Sequence, residues 1–156
     1  MAAIRHRSDG EAGAELELDR DERAALGSLL DRLEPLVARS PRVAPPAYPD
    51  LAELEQEYRR LAGPDLELAR AGALATVRRL LQEPGPVSRL APGEVEVWLR
   101  ALNLLRIALA GEIGIAADGW EAALSPEDHT RPPYAALHAL GWIQQELLLL
   151  DPVPEG

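Results

Sequence analysis

Apolar residues recur along this chain at helical spacing in five places and alternate with polar ones in only one. Leu26, Leu29, Leu30, Leu33 and Val37 share one helical face, and Asp19 with Glu22 three residues on resembles a capping box, so a first helix is expected over about 20–38. Leu51, Leu54, Tyr58 and Leu61 mark a second helix over about 51–61, which Gly63-Pro64 is expected to break. A third, over about 65–83, carries Leu66, Ala69, Ala73, Leu74, Val77, Leu80 and Leu81 inward, with Arg70, Arg78 and Arg79 outside. Pro92 suits the first turn of a fourth helix that ends near Gly114, and Thr130 before Pro132-Pro133 opens a last one that runs to about Leu150, where Asp151-Pro152 closes it.

The alternating stretch lies at the start. Ile4 to Arg7 leads into Ser8-Asp9-Gly10, a turn that tolerates positive φ, and Ala14-Glu15-Leu16-Glu17-Leu18 then alternates, which predicts a β-hairpin. Between these elements lie two proline-rich connections, SPRVAPPAYPD at 40–50 and EPGPVSRLAPGE at 83–94. Residues 115–131 read as loop with one turn around Trp120 to Leu124, and 151–156 as a frayed tail. The expected fold is mainly α: a single helical domain over 1–156, about five helices packed together with a small N-terminal β-hairpin over 1–18.

Two helices break the usual amphipathic rule. The fourth has Trp98, Leu102 and Leu109 on one side, Val95, Leu99 and Ile113 on another, and Val97, Leu104, Ile107 and Ala108 opposite. The last has Leu140, Ile143 and Leu147 on one face and Trp142 with Leu149 on another, beside His138 and Glu146. A helix apolar all round is central in a core or shared between subunits. The pattern therefore predicts a homodimer, with Trp98, Trp142 and Leu149 as interface candidates; another protein is the alternative partner.

Within the fourth helix, Arg106 falls between large apolar side chains. A guanidinium buried without a partner would cost more than a domain's whole stability margin. We therefore expect Arg106 to be largely buried and paired with a carboxylate, first Asp50 or Glu57 and then Glu146. The competing reading is an anion or partner-carboxylate site that uses the bidentate fork.

Composition narrows the chemistry. At 156 residues with 47% hydrophobic and 27% charged, the chain is long enough and apolar enough for one real core. It has no cysteine, which removes disulfides, thiolate catalysis and thiolate metal sites together. Net charge is −10, and every one of the 16 basic residues is arginine, scattered without a long run, which disfavours nucleic acid and anionic membrane as partners. No stretch reaches the roughly 18 apolar residues of a membrane span. The opening MAAIRHRSDGEAG lacks a signal peptide's apolar middle, so a cytoplasmic protein is expected. His129 with Glu127 and Asp128 forms the best local ligand cluster, but it lies in a polar stretch without an HExxH partner, so no metal is expected. No nucleophile elbow, Walker loop or dinucleotide fingerprint occurs, so no catalytic residue and no cofactor are assigned and a non-enzymatic protein is expected.

Several segments resemble a known family. SPRVAPPAYPD, EQEYRRLAG, VWLRALNLLRIALAGEIGI and YAALHALGWIQQELL are similar to the actinobacterial domain-of-unknown-function family twenty-seventeen, whose members include the actinomycete oxidative-stress regulators. The likeness runs from the hairpin to the last helix. Asn103 and Arg106 match the family's Leu-Asn-x-Leu-Arg pattern, and Glu57-Tyr58-Arg59-Arg60-Leu61 matches its acidic-aromatic-arginine pattern, so Asp50, Glu57, Asn103 and Arg106 form the candidate polar cluster. The resemblance implies regulation, with neighbouring genes for a Clp-protease adaptor and for sulfur-carrier and cysteine synthesis. Sensing through cysteine does not transfer, because the chain has none. The expected function is a protein-interaction or regulatory module. The alternative is a DNA-binding regulator of a stress or sulfur-metabolism response, with a helix-turn-helix formed by the second and third helices around Gly63, where Arg59, Arg60, Arg70, Arg78 and Arg79 gather.

Overall fold

A computed structural model of the chain describes residues 2–40, 42–114 and 124–150. In chain order the elements are β1 (Ala3–His6), β2 (Ala14–Glu17), α1 (Arg20–Arg39), α2 (Ala52–Leu81), β3 (Val87–Leu90), α3 (Pro92–Glu112), α4 (Pro126–His129) and α5 (Pro132–Leu149). The fold is mainly α, with five helices and a small antiparallel sheet. The turn expected at Trp120 to Leu124, the Asp151-Pro152 stop and the tail 151–156 fall largely or wholly outside the described residues.

The hairpin forms as its alternation requires, with Ile4 opposite Leu16 and Arg5 opposite Glu15. It is not the whole sheet. β3, inside what reads as a proline-rich connection, pairs antiparallel with β2, so the order is β1-β2-β3 and β2 is the central strand. A four-residue strand between Pro86 and Pro92 is too short a run to stand out, yet Ser88 and Leu90 are buried. Gly13 lets β3 approach: its φ is +115°, and a Cβ there would sit 1.9 Å from the Leu90 carbonyl oxygen.

The largest departure concerns the second and third helices, which are one. α2 runs 30 residues straight through Gly63-Pro64, about 45 Å at 1.5 Å per residue. A proline disfavours the helical conformation of the residue before it through that residue's Cβ and N–H, and glycine at 63 removes the Cβ part of that clash. α1 likewise runs through Pro35, which follows Glu34, so both long helices tolerate an internal proline. The helix count remains five because the merged pair is offset by α4, where Ser125 Oγ accepts from the Asp128 N–H at 3.2 Å. At the start of α1 the Asp19–Glu22 capping box is present in both directions, at 2.8 and 3.0 Å.

α3 is the centre of the molecule. Trp98, Ala101, Leu102, Leu104, Leu105, Ala108 and Leu109 are all buried, and α1, α2 and α5 each pack against it. Its all-round apolar character is thereby used inside one subunit. α2 behaves differently along its length: Ala73, Leu74, Val77, Leu80 and Leu81 are buried, whereas Leu51, Leu54, Leu61, Leu66 and Leu68 stand exposed. Arg23 ties the layers together, donating to the Leu18 carbonyl at 3.1 Å, the Leu80 carbonyl at 3.3 Å and Ser88 Oγ at 2.8 Å.

Candidate functional site

Arg106 is half-buried at the α3–α5 contact, and its partner is neutral. Its Nη1 donates to Gln144 Oε1, and the guanidinium lies over Gly141, where a Cβ would meet it at 3.7 Å. Its Nε–H is buried with no acceptor among the described residues. Among the described residues no carboxylate pairs with it, which corrects the expected ion pair. Asp50 and Asn103 are exposed, and Glu57 is taken by Arg60 on its own helix, at 2.5 and 3.2 Å. The four residues Asp50, Glu57, Asn103 and Arg106 are thus not brought together. A neutral amide suffices because the fork is only partly withdrawn from water and spreads flat on a residue without a side chain. The signal for it in the sequence is Gly141 and Gln144, one turn apart on the face of α5 toward α3.

The charged group that is fully withdrawn from solvent was not singled out by pattern. Glu15, on the central strand, is 1% exposed. Its carboxylate accepts from the Ser8 hydroxyl at 2.7 Å and the Ser8 N–H at 3.1 Å, and from Arg89 and Arg5, each at 3.1 Å. The register sets Arg5 and Arg89 directly opposite Glu15 on its two neighbours. The Ser8 hydroxyl and N–H, then the two arginines, hold the Glu15 carboxyl down to about 2. Three donors converge on Oε1 and Arg5 holds Oε2, all from the hairpin and β3, so the cluster ties the sheet together as a clasp.

The arginines proposed for DNA contact are arranged against that reading. The helix-turn-helix around Gly63 does not exist, since α2 is unbroken. Arg59 pairs with Glu55 at 3.0 Å and Arg60 with Glu57, while Arg78 reaches across to Asp31 at 2.9 Å and Glu34 at 2.5 Å on α1. Arg79 lies 3.7 Å from Glu94.

What the surface does offer is apolar. α1 and α5 both lean on α3 but stand apart from each other, leaving an open groove of about 650 Å³. Buried Leu26, Leu140 and Ile143 line its floor, Leu29 lines the α1 side, Trp142 stands at the α5 rim, and Glu22 and Arg32 on α1 supply the charge. Trp142 is 42% exposed and Leu149 68%, with Leu148 beside them. Trp98 is different: at 1% exposure it belongs to the subunit's own core and cannot serve an interface, which corrects its place among the interface candidates. No sequence pattern gave this groove, because its two walls come from helices far apart in the chain.

His129 Nδ1 and His138 Nε2 lie 3.0 Å apart. Among the described residues no set of three His, Asp or Glu side chains is placed to hold a metal ion, and no helix is long and apolar enough to cross a membrane.

A family model described as a domain of unknown function, DUF2017, matches residues 1–150. No curated protein and no solved structure matches the chain.

Proposed function

We propose, from the premise that this chain belongs to the DUF2017 family, that it is a non-enzymatic interaction module of regulatory type that acts as a cytoplasmic homodimer. The observation that supports it best is the uncovered apolar surface of α5, where Trp142 and Leu149 face outward beside an open groove. Contiguous apolar patches of that kind on a small domain mark contact sites. The polar clusters lend no competing support, since Glu15 and Arg78 are bonded to partners within the fold. The resemblance to actinomycete oxidative-stress regulators suggests regulation in an actinobacterial setting. Without cysteine, that regulation would pass through protein contacts rather than thiol oxidation. Direct DNA contact is disfavoured by the net charge of −10.

Sedimentation velocity over the micromolar range tests the dimer. A species near twice 16.9 kDa that dissociates on dilution is expected. A monomer at every concentration would withdraw the proposal.

A further inference from the structure

The geometry points to Trp142 and the α1–α5 groove as two halves of one self-complementary patch, closed by a second copy of this chain about a two-fold axis. This rests on the dimer reading and names its surface. A two-fold contact needs a projection and a recess on the same face, because whatever one subunit inserts it must also receive. Trp142 supplies the projection: it stands 42% exposed on the rim of the groove. The groove supplies the recess, and exposed Ala139 on its α5 side keeps it open to an incoming ring. Leu149, two turns further on and 68% exposed, extends the patch along the same helical face.

The rim charges fit the same symmetry. Glu22 and Arg32 lie ten residues apart on α1, about 15 Å along the helix. Arg32 is exposed and, among the described residues, makes no hydrogen bond or ion pair. When two α1 helices approach antiparallel, Arg32 of each comes opposite Glu22 of the other, so the patch complements itself in charge as well as in shape. A small apolar ligand fits the observations less well. Ligand pockets close around most of their occupant. A molecule filling this groove would leave Leu149 in water, whereas a second subunit seated on Trp142 covers it too.

The absence of cysteine makes the test clean, since any thiol is an introduced one. Ala139→Cys puts a thiol in the groove and Leu61→Cys puts one on the exposed outer half of α2, each in the full chain, cross-linked with a short bismaleimide while light scattering reports the mass. The expected result is a dimer in solution, covalently linked through Ala139→Cys and not through Leu61→Cys. A dimer linked only through Leu61→Cys would overturn this surface and leave the dimer standing. A monomer with no link at either position would overturn both. Equal linking at both positions would mean random collision and would also overturn the surface. Arg32→Glu is expected to weaken the dimer about tenfold or more by setting carboxylates against each other; an unchanged dissociation constant would remove the charge pairing from the proposal.

Discussion

α3 and α5 are the two helices whose sequences are apolar nearly all round, and the fold treats them oppositely. α3 is enclosed by α1, α2 and α5, and its Trp98 is 1% exposed. α5 rests on α3 along Leu137, Leu140, Ile143 and Leu147 and leaves Trp142, Leu148 and Leu149 outside. An all-round apolar pattern therefore has two outcomes, set by position in the packing order. A helix contacted on three sides consumes its apolar surface within the subunit. One at the margin keeps a surplus, and that surplus is available for association.

The contrast between the two tryptophans is the first place to test this difference. Trp98→Ala should destabilise the fold by about 3–5 kcal/mol in chemical denaturation, the range for emptying a large core site. Trp142→Ala should change the unfolding of the monomer by only about 0.5 kcal/mol. Comparable losses at both sites would mean that α5 is as enclosed as α3.

Next in expected size is the α3–α5 contact itself. Gln144→Leu removes the one acceptor that Arg106 has among the described residues, and unfolding should become easier by about 1–3 kcal/mol. No change would show that water satisfies the guanidinium there. Gly141→Ala works in the other direction: its new Cβ meets the Arg106 guanidinium at an ordinary 3.7 Å, so the better helix former should stabilise the protein by up to about 1 kcal/mol. A loss of stability would mean that the two helices cannot yield even a methyl group's width.

The sheet supplies an acid-sensitive counterpart, since Gln144 does not titrate and Glu15 does. Because the folded Glu15 carboxyl is lowered from 4.5 to about 2, its contribution is present in full above 4.5 and lost as pH falls toward 2. Melting temperatures of wild type and Glu15→Gln should therefore differ at neutral pH and converge as pH falls through that window. A gap that stays constant would mean the carboxylate's charge is not what the clasp uses.

Much of this architecture was legible in the residues. The capping box, the hairpin turn at Ser8-Asp9-Gly10 and the limits of α1, α3 and α5 follow from local chemistry, and the structure has them. What local chemistry could not reach were relations between distant segments. β3 is a strand only because β2 lies open beside it, and Val87–Leu90 carries too few residues to declare itself. Gly63-Pro64 reads as a stop, yet α2 runs through it, as α1 runs through Pro35. Arg106 stands out in its apolar stripe, but it is half-buried and its partner is the amide of Gln144, on a helix whose approach no local pattern reveals. The groove belongs to neither α1 nor α5 alone.

The most direct measurement is light scattering of Trp142→Glu beside Leu54→Glu, which places the same charge on the exposed outer half of α2. Wild type and Leu54→Glu should both run near twice 16.9 kDa at micromolar concentration, and Trp142→Glu near 16.9 kDa with its helical circular dichroism unchanged. Trp142→Glu remaining a dimer, or Leu54→Glu alone becoming a monomer, would contradict the assignment of α5 as the surface through which this protein associates.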